Sequence, residues 1–224
     1  MTYDCAFCGK IFQRETSLAV HMCEIKRRNR ERSERGVELG LQAFLKFYET
    51  LQGSSRLKTW NDFVASSYYK AFVKWGRYCV NTRVIQPEQF LTWLIRTNQK
   101  IDRWACDTVY TEYLVRYLPQ ESAQDALRRA ESWSLAWSEQ TGSPARDCLR
   151  YGNPNAMCHA VTTGRLSAWA LYNCESGRIF LAELESMHMQ IIWPYIDSDI
   201  WGRRFADYPA DQAWAEGQLT EWGW

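Results

Sequence analysis

Four residues near the start of the chain have the types and the spacing of a metal site. Two residues separate Cys5 from Cys8, and twelve separate Cys8 from His21. Cys23 follows His21 by two positions. This spacing is typical of a small ββα unit whose hairpin and helix meet at one tetrahedral Zn²⁺ ion. A unit of this size buries too little apolar surface to fold by itself, so metal binding must supply folding free energy on the order of 10 kcal/mol.

The fourth ligand is the unusual part of this pattern. Residues two positions apart do not share a helix face, so Cys23 can complete the site only if the helix ends or distorts at His21. The alternative is a reduced, metal-free knuckle in a disordered N-terminus. Phe12 and Leu18 weigh against that alternative, because they fall where a ββα unit places its two core side chains.

Residues 3–23 resemble the Cys-Cys-His-His zinc-finger family, with a cysteine in place of the second histidine. In DNA-reading members of that family three helix positions face the bases, and they correspond here to Arg14, Ser17 and Val20. The resemblance implies that Arg14 can bond a guanine edge and that Ser17 can contact either base. One finger spans about three base pairs, so a finger that binds only protein stays open as an alternative.

A basic run follows the finger, with six cations against three glutamates over residues 24–36. Two Arg–Glu pairs in it are four residues apart, as in a solvated charged helix that links a finger to a body. The alternative is an electrostatic clamp on phosphates beside the finger. The cations are Lys26, Arg27, Arg28, Arg30, Arg32 and Arg35.

A second candidate surface lies in residues 56–78, where basic and aromatic side chains interleave. Lys70, Lys74 and Arg77 fall on one helical stripe, with Trp75 near it. A basic stripe beside aromatic faces is what a surface that follows a DNA backbone requires. The alternative is an ordinary amphipathic helix, with its rings in the core and its lysines in water.

The rest of the chain predicts helices. Apolar residues recur at helical spacing over 36–51 and 62–80, with a break at 52–55 between them, and Pro87 fits the first turn of a third helix. The expected fold class is all-α, a helical body of one or two lobes with a small N-terminal ββα zinc finger. The predicted domains are a finger (1–24), a basic helical linker (25–36), lobe 1 (37–141) and lobe 2 (145–224).

Other constellations favour structural roles. Asp197 and Asp199 could serve as carboxylate metal ligands, but an Asp-Ser-Asp turn between helices is typical of an N-cap. Adjacent residues such as Cys158 and His159 usually point apart, which disfavours a nucleophile–base pair. The spacing is irregular in the one set that could build a second zinc site, Cys148, Cys158, His159 and Cys174.

No loop motif for phosphate or dinucleotide binding and no nucleophile elbow occurs in the sequence, so we expect no enzymatic activity. No run of eighteen apolar residues is present, so neither a membrane span nor a membrane partner is expected.

Charge is unevenly distributed along the chain. The total of +1 combines a net charge of +7 over residues 1–117 with one of −6 over residues 173–224. An odd number of cysteines outside the finger indicates free thiols in a reducing cytoplasm.

The whole chain resembles a family of finger-bearing proteins of T-even-like phages that infect marine cyanobacteria. The body is also similar to the helicase-loader family of T-even phages, which are small, two-lobed, all-α proteins that bind replication forks without ATP. The stretches behind the first resemblance, besides the finger, are GLQAFLKFYE (40–49), YYKAFVKWGRY (68–78), YGNPN (151–155), GRLSAWALYNC (164–174) and YIDSDIW (195–201).

These resemblances and the charge polarity predict a non-enzymatic DNA-binding accessory protein of phage replication, a helicase loader on forked or single-stranded DNA in the infected host cell. Its acidic end would dock a phage or host replication protein. Two alternatives stay open. One is a transcription regulator that bridges RNA polymerase and DNA, and the other is a structural protein whose finger binds only protein.

Overall fold

The computed structural model describes residues 2–52 and 57–224, and the chain divides into two compact units. Unit 1 ends at Cys106, and unit 2 spans Asp107–Trp224. Helices dominate both units, which confirms the predicted all-α body. The loop at 142–144, the predicted lobe boundary, lies inside unit 2. Residues 53–55 of the predicted break at 52–55 lie outside the described residues, as does residue 56 of the predicted basic and aromatic stretch.

Unit 1 opens with a hairpin and a short helix, as the ββα pattern predicts. Tyr3 pairs with Phe12 in its antiparallel strands. A short 3₁₀ helix, Ile101–Arg103, closes the unit. Its other elements are β1 (Tyr3–Asp4), β2 (Ile11–Phe12), α1 (Glu15–Val20), α2 (Glu24–Arg30), α3 (Arg35–Gln52), α4 (Trp60–Ala65), α5 (Tyr69–Thr82) and α6 (Pro87–Arg96).

Helices α3 and α5 form the main packing contact of unit 1, and glycines make it possible. A Cβ atom added to Gly76 would lie 2.0 Å from the carbonyl oxygen of Gly36, and one added to Gly40 would lie 2.9 Å from that of Phe72. The two helix backbones therefore touch directly. Only residues without a side chain allow that approach, because real Cβ contacts are never so short.

An aromatic cluster fills the space beside this crossing. The rings of Phe44 and Phe72 meet edge to face at 5.6 Å, and Trp104 lies 5.7 Å from Phe72. Such arrangements suit the ring quadrupole and add about 1 kcal/mol each to the area they bury. Trp75 is 1% exposed, so the rings of α5 face inward as the amphipathic alternative predicts.

The predicted single helix over 62–80 is wrong, because the structure breaks it into α4 and α5. Ser66 has an extended backbone (φ −66°, ψ 138°) and its hydroxyl accepts a hydrogen bond from the Tyr68 N–H. Serine competes in this way with helical hydrogen bonds. A capping box of Thr59 and Asp62 then fixes the start of α4.

Unit 2 contains two buried tryptophans, Trp169 and Trp201, whose rings meet edge to face at 5.9 Å. Short 3₁₀ helices lie at Leu118–Gln120 and Ala145–Asp147. Its α-helices are α7 (Asp107–Tyr117), α8 (Ala123–Thr141), α9 (Cys148–Tyr151), α10 (Pro154–Thr162), α11 (Ala168–Tyr172), α12 (Glu175–Glu183), α13 (Ser186–Ile196), α14 (Ser198–Asp207) and α15 (Pro209–Glu221).

Side-chain caps set several boundaries in unit 2. The predicted cap is confirmed at Asp197, which accepts from the Asp199 N–H at 2.9 Å. Ser167 also caps a helix and accepts from the Trp169 N–H. Asp197 therefore satisfies a helix N-terminus. Across the described ranges of both units, no helix is both long and apolar enough to cross a membrane.

Candidate metal centre and cationic groove

Cys5, Cys8, His21 and Cys23 come together in the structure as one cluster. Their ligand atoms all lie within 4.8 Å of one another, and the Cys8 Sγ is 3.3 Å from the His21 Nε2. Three thiolates and an imidazole around one point are the donor set of a structural tetrahedral metal site. The predicted ligands therefore form a site that fits a metal ion.

The helix ends where the fourth ligand requires it to end. Helix α1 stops at Val20, and His21 has an extended backbone (φ −66°, ψ 122°). Cys23 is also extended (φ −85°, ψ 164°), and α2 begins at the next residue. Because the helix ends before His21 and the backbone is extended at both His21 and Cys23, these two residues reach the same point. The two-residue spacing of His21 and Cys23 had required the helix to end here for Cys23 to complete the site.

Cys23 has a second task at the start of α2. Its Sγ accepts a hydrogen bond from the Lys26 backbone N–H at 3.4 Å, in the position of an N-cap. The Lys26 Nζ donates to the His21 carbonyl oxygen at 3.3 Å. The same residue that completes the cluster therefore orients the helix that follows it.

The finger packs around the cluster with few side chains. Phe12 and His21 have ring centroids 4.8 Å apart, and Cys5 is 4% exposed. A hydrogen bond from the Phe7 N–H lowers the pKa of the Cys5 thiol. Although a hydrogen bond from the Lys10 N–H opposes the shift, burial and the neighbouring thiols raise the pKa of the Cys8 thiol. Leu18 is half-buried, so the predicted core positions do pack inward.

The predicted base-reading face of α1 is open. Arg14 and Ser17 are exposed, and Val20 is 84% exposed. Arg14 occupies the N-cap position of α1, but its side chain makes no capping hydrogen bond. The finger face that would be covered in a purely structural finger is thus accessible.

Two of the predicted phosphate-binding arginines hold unit 1 together. Arg28 donates to the Val64 carbonyl oxygen at 2.5 Å and lies over the Tyr69 ring at 4.3 Å, with its side chain 12% exposed. Arg77 bonds Glu34 at 2.6 Å and Glu31 at 3.3 Å. Both side chains therefore have internal partners that the sequence did not reveal.

Apart from Lys26, the other predicted cations of this region are exposed. Arg30 and Arg32 are exposed, and the Arg32 guanidinium lies 4.9 Å from the Trp60 ring centre. Arg27 pairs with Glu24 at 3.0 Å with 54% of its side chain exposed. Lys26 is half-buried, and Arg35 pairs with Glu38 at 3.4 Å.

A groove of about 570 Å³ lies between α2 and α5. It collects five of the predicted nucleic-acid residues from two separate stretches of sequence. Two glutamates and Tyr69 also line it. The five basic residues are Arg27, Arg28, Lys70, Lys74 and Arg77, and we call this concavity the cationic groove.

Glu24 and Glu31 partly neutralise the cationic groove. Glu24 lies within ion-pair distance of Arg27, Arg28 and Lys70, at 3.0, 3.1 and 3.9 Å. Its pKa is lowered, first by the hydrogen bond from Arg28. The spacing of the sequence suggested ion pairs within one helix, Arg27 with Glu31 and Arg30 with Glu34. In the structure, Glu31 and Glu34 instead form ion pairs with Arg77 of α5.

The alternative second zinc set does not form a metal cluster. Cys158 is buried while His159 is exposed, so the neighbours point apart as expected. Burial raises the pKa of Cys148 to about 12 and also raises that of Cys174. Within residues 2–52 and 57–224, the finger cluster is the one such group of metal ligands.

The sequence placed Tyr69 only among the rings that interleave with cations over residues 56–78, and it did not identify the glutamates as internal counter-ions of the groove. The helical spacing of Tyr69 predicts only that it is buried. No local signal identifies a glutamate partner more than forty residues away, as for Arg77 and Glu34.

The chain matches no family model, and neither a curated protein nor a solved structure matches it.

Proposed function

We propose that the protein is a zinc-binding, non-enzymatic DNA-binding accessory protein of phage replication. The observation that supports it most is the four-ligand cluster beside an exposed α1 face that carries Arg14 and Ser17. A folded finger with an open helix face is the arrangement that base recognition in a major groove uses.

Zinc is the ion that fits these donors best. Thiolate and imidazole ligands in a closed four-coordinate set are typical of structural zinc, whereas magnesium and calcium take oxygen ligands. Cys5, Cys8, His21 and Cys23 would hold the ion. It would supply folding free energy to residues 3–23 and no chemistry on a substrate.

The cations around the finger support DNA as the ligand. Arg27, Arg30 and Arg32 are exposed just beyond the last metal ligand, where they can reach phosphates that flank a bound finger. Each cation that neutralises a phosphate releases counter-ions and makes binding depend on salt. Forked or single-stranded DNA is the proposed form, by analogy with the helicase-loader family.

The test is a fluorescence-anisotropy titration of the full chain with fork, single-stranded and duplex oligonucleotides over a range of salt. We expect Arg14→Ala and Arg30→Ala each to weaken binding. Lys46→Ala is the matched control, because Lys46 is also exposed but lies on α3 and pairs with Glu49. Absence of binding to every form at low salt would refute the proposal.

The protein partner requires a separate experiment. Pulldown from infected cells, with and without nuclease, followed by mass spectrometry separates partners that bind through DNA from those that bind the protein. We expect a replicative helicase to remain after nuclease treatment. Recovery of RNA polymerase in its place would favour the transcription regulator, and recovery of neither with no DNA binding would favour the structural protein.

A further inference from the structure

The cationic groove brings positive side chains from two helices to one concave surface without an equal number of negative ones. Lys70 and Lys74 are four residues apart on α5 and share a face. Lys70 is 77% exposed and Lys74 is also exposed. Arg27 reaches the same groove from α2. Cations held this close repel one another unless an anion lies among them.

In the protein by itself that anion is Glu24. Its carboxylate contacts Arg27, Arg28 and Lys70 at once, which is more partners than a surface ion pair usually has. Glu24 is 44% exposed, so solvent weakens each of these contacts and an incoming anion can compete for them. A backbone phosphodiester carries the same single charge as a carboxylate, but successive phosphates of one strand bring several such charges to the groove, whereas Glu24 supplies one.

Tyr69 provides an independent indication of a ligand. It lines the groove and is 4% exposed, and among the described residues its hydroxyl has no hydrogen-bond partner. A buried hydroxyl without a partner costs about 1–3 kcal/mol. Burial raises the pKa of this hydroxyl, and the Arg28 guanidinium lies 4.3 Å from the centre of the Tyr69 ring.

We propose that the cationic groove is a phosphate-binding site, in which Arg27, Lys70 and Lys74 bind the phosphates of a DNA backbone and displace Glu24 from them. This site adds a second DNA contact to the proposed function, and the identification of the ligand as DNA rests on that proposed function. It lies apart from the base-reading face of α1, so it would hold the strand without reading its sequence. Glu24 then sets the affinity, because every phosphate must compete with it.

The first test replaces the lysines. We expect Lys70→Ala with Lys74→Ala to lower the affinity of the full chain for a labelled twelve-nucleotide single strand about tenfold. The slope of log affinity against log salt should fall by about 1.4, since each phosphate contact on a single strand contributes about 0.7. Lys46→Ala on α3 should change neither quantity.

The second test removes the internal competitor. We expect Glu24→Gln to raise the affinity for the same strand at least threefold, with zinc content and unfolding free energy measured alongside. Glu49→Gln is the control, because Glu49 is similarly exposed and pairs with Lys46 outside the groove. An equal gain in affinity in both variants, or no gain in Glu24→Gln, would show that Glu24 does not compete with the phosphates for the groove.

A third arm identifies the source of the phosphate. Inorganic pyrophosphate is titrated into the full chain and into the double lysine variant by calorimetry. One outcome is that the double lysine variant loses pyrophosphate binding but keeps its affinity for DNA. That outcome would assign the site to a free phosphate compound and overturn the backbone assignment. If neither ligand responds to the lysines, the groove binds no phosphate, although DNA binding through Arg14 could still stand.

Discussion

The Sγ of Cys23 accepts a hydrogen bond from the backbone N–H of Lys26 at 3.4 Å, so one side chain both belongs to the metal cluster and caps helix α2. Helix α2 carries Arg28, whose guanidinium bonds the Val64 carbonyl oxygen and lies over Tyr69. The metal cluster and the helical body of unit 1 are therefore joined through one short helix rather than by a free linker.

The two roles of Cys23 can be separated by substitution. Cys23→Ala removes a metal ligand and the cap, whereas Cys23→Ser removes the ligand and keeps a hydroxyl that serves as an N-cap. We expect both variants to bind zinc more weakly by elemental analysis, and only Cys23→Ala to lose amide protection in α2, by about 1 kcal/mol. Equal loss of protection in both would contradict the capping role.

Substitution of Arg28 and of Arg30 should have different effects on stability and on DNA affinity, although both residues lie in one basic run. Arg28→Ala removes a hydrogen bond, a ring contact and an ion pair, so we expect the unfolding free energy to fall by about 2 kcal/mol. Arg30 is exposed, and Arg30→Ala should change stability by less than about 0.5 kcal/mol while it lowers DNA affinity. Urea unfolding and anisotropy measure the two effects, and a stable Arg28→Ala variant would refute the anchoring role.

The contact of α3 with α5 should not tolerate one methyl group. Gly76→Ala places a carbon 2.0 Å from the Gly36 carbonyl oxygen, and we expect it to destabilise unit 1 by at least about 3 kcal/mol. Gly217→Ala in α15 is the control, since outside its chain neighbours and its own helical turn the described residues place no atom within 4 Å of the added carbon. That change should stabilise the chain by up to about 1 kcal/mol through helix propensity. Thermal unfolding of both variants compares them directly.

Glu121 should make the stability of unit 2 depend on pH. Burial raises its pKa to about 7 from an ordinary value of 4.5, although Arg129 opposes the shift. The folded state thus holds the proton more tightly than the unfolded state. The stabilisation is complete below about pH 4.5 and is lost as the pH rises through about 7, at about 1.4 kcal/mol per unit of pKa shift.

Glu121→Gln isolates this effect, because glutamine mimics the protonated acid and does not titrate. Denaturation at pH 4.5, 6 and 8 should show the wild type losing stability relative to the variant as the pH rises. All other titrating groups cancel in that difference. A constant difference across the three pH values would mean that Glu121 titrates at its ordinary value.

The sequence determined the metal ligands and the helical class, because both depend on local spacing. Cys5, Cys8 and His21 are arranged by one hairpin and one helix, and the apolar periodicity that predicts a helix acts within a few turns. The end of α1 at Val20 follows from the same local geometry, since Cys23 can reach the cluster only if the helix stops. These features need no distant contact.

Tertiary structure alone decided which cations stay accessible. Arg27 and Arg28 are adjacent in sequence, yet one is half exposed and the other lies under the groove against Val64 and Tyr69. Arg77 and Lys74 lie on one stripe, yet only Arg77 is bound by Glu31 and Glu34. The reason is that these partners are distant in sequence and meet only when the helices of unit 1 pack together, α2 on α4 and α3 on α5. Helical periodicity carries no information about such pairs.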